Sequence, residues 1–216
     1  MSDESDHQHG APQPEKGPTD SLGTGTGTGT GKRVRADAQR NLDVLLQVAL
    51  QVFSASGVDA PVREIASKAG VGVGTLYRHF PQRSDLIKAV LRREIDACAN
   101  AASALSAEYG PGEALARWMQ RFVDFISAKR GLAAALHSGD PAYEALPAYF
   151  DQRLRPALDS LLDTATRAGE VRTGIDSNDL LHALAKLSTP GPDGDTAPAR
   201  RMVALLVDGL RYGAKP

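Results

Sequence analysis

Residues 62–80 read VREIASKAGVGVGTLYRHF, and this stretch decides the fold. Two short segments with helical apolar spacing flank the turn Gly70–Gly72. Ile65 lies on the inner face of the first segment, and Leu76 and Phe80 share the inner face of the second. A short turn with glycine where the chain reverses is typical of a helix-turn-helix, so we predict this motif over about residues 62–81.

The second helix of the motif has an outer side that suits DNA. Small residues permit close approach to a duplex, while hydroxyl groups, Arg and His bond phosphates or base edges. The outward positions are Gly74, Thr75, Tyr77, Arg78 and His79. Structural readings stay open beside this one: Tyr77 as a core residue, His79 as a structural histidine and Arg78 as a solvated side chain.

Charge is distributed unevenly along the chain. The whole chain has a net charge of −1, whereas residues 32–83 carry eight Lys and Arg against four Asp and Glu. A positive excess confined to one short stretch is expected of a module that binds a polyanion, attached to something close to neutral.

The rest of the chain predicts helices and no strand, because apolar residues recur at helical spacing and no β-branched run alternates. The predicted fold class is therefore all-α. Helices are expected around residues 42–53, 61–69, 73–80, 84–106, 115–126, 131–137, 146–165, 180–187 and 203–210.

Residues 1–31 are predicted to be a disordered tail. They have almost no apolar content and include a Gly–Thr alternation over Gly23–Gly31, so nothing there offsets the entropy of ordering. They also lack the apolar region of a secretory signal. The longest uncharged run, Val44–Val58, is shorter than the ~18 residues of a membrane span. We therefore expect a cytoplasmic, nucleoid-associated protein without a membrane partner.

Enzymatic and metal chemistry have little support in the sequence. Cys98 is the single cysteine, which argues against a disulfide framework and a Cys-based zinc site. The histidines after residue 31 are His79, His137 and His182, widely spaced and without acidic partners at catalytic or metal-binding spacing. We expect no catalytic residues, no metal and no cofactor.

The motif resembles the tetracycline-repressor (TetR) family of bacterial transcriptional regulators. The resemblance covers about residues 38–89 and rests on an apolar helix ending in Phe53-x-x-x-Gly57, on Arg63-Glu-Ile-Ala66, and above all on Gly74-Thr-Leu-Tyr-Arg-His-Phe80. It implies a three-helix DNA-binding domain over residues 32–83. It also implies a helical domain over residues 84–216 that binds a small effector and dimerises.

The resemblance also implies roles for individual residues. Val73, Gly74 and Thr75 match positions that approach bases, and Tyr77 and His79 match positions that hold phosphate oxygens. Arg63, Arg78 and Arg83 match positions that reach DNA. A basic arm before the first helix is matched by Lys32, Arg33, Arg35 and Arg40. Because Val73 and Gly74 offer bases no side-chain hydrogen bonds, Arg63, Thr75 and Arg78 are expected to carry more of the readout, with DNA shape supplying the rest.

Two further sites are expected in the C-terminal part. Aromatic and polar residues that could line an effector pocket, or simply form core, are Trp118, Met119, Phe122, His137, Tyr143 and Phe150. Apolar positions on the last two helices are expected to form a four-helix dimer interface: Leu180, Leu184, Leu187, Val203, Leu206 and Leu210.

The predicted function is that of a homodimeric repressor, released from a pseudo-palindromic double-stranded DNA operator by a small-molecule effector. The alternative is a helical ligand sensor or structural dimer that does not bind DNA. The positive charge of residues 32–83 favours the first.

Overall fold

The computed structural model describes residues 28–132, 138–189, 191 and 194–213, without the side chains of residues 28–36 and of Arg130. Over these ranges the protein has eight α-helices, two 3-10 helices and no strand, which confirms the all-α prediction. The α-helices are α1 (Thr28–Ser56), α2 (Val62–Lys68), α3 (Val73–His79), α4 (Arg83–Glu108), α5 (Pro111–Ala128), α6 (Leu146–Arg167), α7 (Ser177–Leu187) and α8 (Ala197–Arg211); the 3-10 helices are Arg130–Leu132 and Pro141–Tyr143.

The chain divides into two compact units, Met1–Ala38 and Gln39–Pro216. In the first unit the described residues are the opening turns of α1, which begin at Thr28. The predicted tail is therefore wrong over residues 28–31. Once a helix has nucleated, each added residue gains a hydrogen bond at the cost of ordering one residue, so helices extend beyond their packed part. Residues 1–27 lie outside the described residues.

A first hydrophobic core joins α1, α2, α3 and the N-terminal half of α4. Its fully buried members include Phe53 of α1, Ile65 of α2, Leu76 of α3 and Leu86 of α4. Leu132 and Leu146 also belong to this core, although they follow α5 in sequence. The segment between α5 and α6 therefore returns to pack on the helix-turn-helix part of the protein.

A second core joins the C-terminal half of α4 with α5, α6, α7 and α8. Trp118 lies at its centre, fully buried, and its indole Nε1 donates to the Cys98 carbonyl at 2.9 Å. Since Leu91 of α4 belongs to the first core and Ile95 to the second, α4 contributes to both.

Local signals explain where the helices of the motif begin and end. Gly70 has φ +68°, a left-handed conformation that glycine adopts at low cost, and it closes α2. A capping box starts α4: the Gln82 amide donates to Asp85 Oδ2 at 3.1 Å, and the Gln82 side chain accepts in return. Of the helix expected around residues 131–137, the structure describes only the 3-10 turn at Arg130–Leu132, and residues 133–137 lie outside the described residues.

Every helix within the described residues is too short or too polar to cross a lipid bilayer.

Candidate nucleic-acid interface and ligand cavity

The turn between α2 and α3 sets which side of α3 is exposed. The Val71 amide donates to Ala66 O at 3.0 Å and the Gly70 amide donates to Ser67 O at 3.2 Å. Leu76 is buried against the first core, and Phe80 is half-buried beside it. Because these two residues hold one side of α3 inward, the opposite side faces solvent.

The exposed side of α3 carries the residues expected to contact DNA. Tyr77 is 49% exposed, and Gly74, Arg78 and His79 are also exposed, while Val73 and Thr75 are half-buried. Nothing lies within 4 Å of a Cβ placed on Gly74, so the backbone is open to close approach at this point. This surface therefore combines an open backbone with hydroxyl, imidazole and guanidinium groups, which suits a duplex.

Arg78 lies along its own helix. Its Nε donates to Gly74 O at 3.3 Å and its Nη2 donates to Thr75 Oγ1 at 3.2 Å. These exposed contacts keep the guanidinium beside the N-terminal turn of α3, where the small side chains lie. The arrangement holds a cation next to the part of the helix that is most open to a ligand.

Arg63 is exposed in the first turn of α2. The neighbouring Glu64 pairs instead with Lys68, whose Nζ lies 2.8 Å from Glu64 Oε1. Within the described residues Arg63 makes no ion pair or hydrogen bond, so its charge remains available to an external anion.

The side chain of Arg83 does not have the exposed environment that we expected of a residue facing DNA. Its Nη1 donates to Val58 O and, at 2.7 Å, to Ala60 O, and the side chain is half-buried. Both acceptors lie in the connection between α1 and α2, where they have no helical partner. Arg83 therefore holds that connection against the start of α4, and the prediction of a DNA contact is replaced by a structural role.

The basic residues expected to form an arm before the first helix lie within α1. Lys32, Arg33 and Arg35 belong to its opening turns, and their side chains lie outside the described residues. Arg40 is exposed further along the same helix. The sequence placed the start of α1 too late because residues 28–35 lack apolar positions of helical spacing.

A cavity of about 460 Å³ lies between α4, the C-terminal end of α5, α6 and α7. We call it the ligand cavity. Its lining residues are Leu91, Ile95, Lys129, Leu146, Pro147, Phe150, Asp151 and His182. A mostly apolar wall with a few charged groups is typical of small-molecule sites, and the volume lies in the range of about 300–1,000 Å³ that such sites have.

Lys129 is the unusual member of the ligand cavity, because it is a lysine only 8% exposed. Its Nζ lies 3.4 Å from the centroid of the Phe125 ring and 5.2 Å from that of the Phe150 ring. Burial lowers the pKa of Lys129 to about 7, and the nearby Cys98 and Glu94 oppose that shift only in part.

Four of the residues expected to line a pocket do not line the ligand cavity. Trp118, Met119 and Phe122 are fully buried in the second core, and Tyr143 packs on the first. The sequence left two interpretations open for these four residues, pocket lining or core. The structure supports core, since their side chains fill the space between helices. Phe150 does line the ligand cavity, and His137 lies outside the described residues.

Sequence reasoning missed Lys129, although a signal for it existed. The spacings from Trp118 to Phe122, Phe125 and Lys129 are four, three and four residues, so Lys129, the C-cap of α5, continues the buried aromatic stripe of that helix. A lysine that continues an aromatic stripe marks a buried cation. Leu91, Ile95, Leu146, Pro147, Asp151 and His182 gave no such signal, because separate helices bring them together.

The expected dimer residues are mostly core within one protomer. Leu180, Leu184, Val203 and Leu210 are buried in the second core, and Leu210 also lines a groove at the surface. α7 and α8 thus use these positions to complete the core of their own chain. Leu187 and Leu206 are half-buried and border an apolar groove on α7 and α8.

That groove, together with its exposed rim, forms a second apolar surface. Met202 is 45% exposed and Leu205 65% exposed, and both line the groove with Leu206 and Gly209. We call this surface the α8 face.

Among the described residues, no group of three or more His, Cys, Asp or Glu is placed to hold a metal ion.

Family comparisons match both parts of the chain. Residues 45–90 match the model of bacterial regulatory proteins of the tetR family. Residues 110–212 match the C-terminal domain of SbtR-like transcriptional regulators.

Solved structures match most of the chain. A TetR transcriptional regulator from Streptomyces coelicolor is 42% identical with a TM-score of 0.69, covering 80% of this chain and 99% of that one. A TetR regulatory protein from Mycobacterium vanbaalenii is 37% identical with a TM-score of 0.67, covering 83% of this chain and 99% of that one.

Among curated relatives, an HTH-type transcriptional regulator of Staphylococcus aureus (strain USA300) is 39% identical over 64 residues, 29% of this chain. The chain spans about 35% of the length of that curated relative.

Proposed function

Because this chain belongs to the TetR family of bacterial transcriptional regulators, we propose that it is a homodimeric repressor, which a small molecule releases from a double-stranded DNA operator. The observation that carries the proposal is the exposed side of α3. It offers Tyr77, Arg78 and His79 to solvent beside an open backbone at Gly74, with the unpaired Arg63 on the preceding helix.

The two copies of α3 in a dimer enter successive major grooves of the operator. Such grooves are about 34–36 Å apart, so the operator is a pseudo-palindrome with half-sites at that spacing. In each half-site Arg78 and Thr75 read base edges, and Tyr77 and His79 bond phosphates. Lys32, Arg33 and Arg35 add phosphate contacts.

The α8 face supplies the dimer interface in this proposal. Met202 and Leu205 expose apolar area that a second copy buries by two-fold symmetry. The ligand cavity supplies the effector site. Leu91 and Leu146 line this cavity and also belong to the first core, so a ligand there touches residues that pack against the helix-turn-helix.

An effector that prefers a different packing of those residues shifts the population away from the DNA-competent state. The shift cannot exceed the difference in its affinity for the two states. This arrangement supports release by a small molecule without requiring a contact between effector and DNA.

Selection of bound duplexes from a random library by the purified protein tests the proposal. We expect enrichment of one pseudo-palindromic site, whose affinity in a mobility-shift assay falls when Arg63 or Arg78 is replaced by Ala. Arg155→Ala, on the exposed surface of α6, serves as the matched control and should bind normally. Absence of any enriched sequence would favour the alternative of a helical sensor that does not bind DNA.

A further inference from the structure

Lys129 is a buried cation whose counter-ion is missing from the described part of the chain. Its Nζ contacts the rings of Phe125 and Phe150 and makes no ion pair with any described residue. Cation–π contacts offset part of the desolvation of an ammonium group. A paired carboxylate offsets far more, and buried charges in proteins are usually paired.

The groups around Lys129 do not supply that charge. Cys98 is a neutral thiol at physiological pH, since burial raises its pKa to about 12. Glu94 pairs with Arg93, whose Nη1 lies 2.9 Å from Glu94 Oε1. Asp151 and His182 line the same cavity and form no ion pair with Lys129. Because Lys129 itself lines the ligand cavity, an anion bound there lies beside a lysine that has no ion-pair partner among the described residues.

We propose that the ligand cavity takes an apolar monocarboxylate, whose carboxylate pairs with the Lys129 ammonium and whose body packs on Leu91, Ile95 and Phe150. This inference rests on the proposed effector function and names the chemical class of the effector. A single buried ammonium matches one carboxylate, whereas phosphate groups are normally held by several donors. The apolar wall favours a hydrocarbon body over a polar one.

Isothermal titration of the purified dimer with decanoate and decan-1-ol tests the proposal directly. The two probes share a chain and differ in the charged group. We expect decanoate to bind the unmodified protein at least tenfold more tightly than decan-1-ol. The pair 4-phenylbutanoate and 4-phenylbutan-1-ol repeats the comparison for an aromatic body, and a preference for the acid in either pair supports the inference.

Lys129→Met keeps the length of the side chain and removes its charge. This variant should bind decanoate and decan-1-ol with equal affinity. Lys186→Met, which removes an exposed lysine from α7, is the matched control and should keep the preference. Circular dichroism checks that both variants retain their helices.

Proton uptake provides a second readout of the pairing, which does not depend on comparing the acid with the alcohol. Because the pKa of free Lys129 is about 7, the side chain is mostly neutral at pH 8 and an anion that pairs with it must bring in a proton. Titrations in buffers of different ionisation enthalpy should show about one proton taken up per decanoate at pH 8 and almost none at pH 6. Lys129→Met should abolish that uptake and the exposed Lys186→Met should keep it, which assigns the proton to Lys129.

Equal affinity of acid and alcohol, preference retained in Lys129→Met, or failure of both acids to bind at millimolar concentration would each overturn the inference. A mobility-shift assay distinguishes this from failure of the proposed function. If decanoate binds through Lys129 and leaves operator affinity unchanged, the ligand class stands and the effector role falls.

Discussion

Gly131 packs so closely on Phe53 that a Cβ at Gly131 would lie 1.8 Å from the Phe53 carbonyl oxygen. Beside this contact, Ser54 Oγ donates to Ala128 O at 2.7 Å. The C-terminal end of α1 is therefore held by the segment that follows α5, and this segment also contains Lys129. The ligand cavity and the helix-turn-helix part of the protein thus share one short stretch of backbone.

Gly131→Ala is expected to force this stretch away from α1, because the added carbon overlaps backbone atoms that cannot rotate aside. Such overpacking costs about 1–3 kcal/mol, and the free energy of unfolding should fall by that amount. Chemical denaturation followed by circular dichroism measures it. Gly110→Ala, where nothing lies within 4 Å of the new carbon, changes only the N-cap of α5 and should cost less than about 1 kcal/mol.

Operator affinity should also fall in Gly131→Ala if the contact between Gly131 and Phe53 orients the helix-turn-helix. A destabilised variant that binds the operator normally would show that this contact serves folding alone.

Arg78 and Arg83 should separate DNA binding from stability. Arg78→Ala removes an exposed side chain, so folding is expected to be unchanged while operator affinity falls by about 1–3 kcal/mol if the contact is to a base. Arg83→Ala leaves Val58 O and Ala60 O without their donor and should lower the free energy of unfolding by about 1–3 kcal/mol. Mobility shift and denaturation on both variants provide the comparison, and the reverse pattern would contradict it.

Gly74→Ala tests how closely DNA approaches α3. In the free protein the new methyl group meets no atom within 4 Å, and alanine has the better helix propensity, so stability should be unchanged or rise by up to about 1 kcal/mol. Operator affinity should nevertheless fall, because the methyl group occupies space that the duplex needs. Unchanged affinity would show that the duplex keeps its distance at this position.

The helix-turn-helix was predictable because its signals are local. The spacing of Ile65, Leu76 and Phe80 fixes which sides of α2 and α3 are buried, and the outward residues follow from it. The same reasoning failed at Arg83. A guanidinium that caps carbonyl groups more than 20 residues away depends on tertiary contacts, which one helical period does not reveal.

The C-terminal part of the chain shows more clearly what apolar periodicity does not predict. The helix expected around residues 131–137 is described only over the 3-10 turn Arg130–Leu132, but for α4 to α8 apolar periodicity located the helices and identified many of their buried positions. It does not say what buries them, so Leu184 and Val203 were assigned to a partner although their own chain covers them. The ligand cavity draws on several helices, and of its lining the sequence analysis named Phe150, while Lys129 was recognisable from the aromatic stripe that it continues.

Leu205 and Leu184 test the dimer interface. Leu205 is 65% exposed on the α8 face, whereas Leu184 is fully buried. Leu205→Asp is expected to give a folded monomer that has lost operator binding, because the charge would be buried only on association. Leu184→Asp places the charge in the core and should prevent folding. Sedimentation equilibrium with circular dichroism distinguishes these outcomes. A folded Leu205→Asp dimer would show that the dimer interface lies on another surface.

Lys129 should make the stability of the protein depend on pH. Its pKa is about 7 when folded and 10.5 in the unfolded reference. Below pH 7 both states carry the proton, and the folded state bears the full cost of the buried charge. Between pH 7 and pH 10.5 the unfolded chain binds more protons at this lysine than the folded protein does. The free energy of unfolding therefore rises with pH by up to about 1.4 kcal/mol per pH unit.

Lys129→Met removes this dependence. We expect the variant to be more stable than the unmodified protein at pH 6, and the advantage to shrink by about 2 kcal/mol between pH 7 and pH 9 as the lysine releases its proton. Glu94, Cys98, Asp151 and His182 are retained in both proteins, so the difference between the two proteins reports chiefly on the lysine. Urea denaturation across this range, in buffers free of carboxylates, measures it, with the exposed Lys186→Met as the control whose difference should not vary with pH. A constant difference for Lys129→Met would mean that the ammonium group finds a partner or water in solution and is not the uncompensated charge that the ligand cavity is proposed to use.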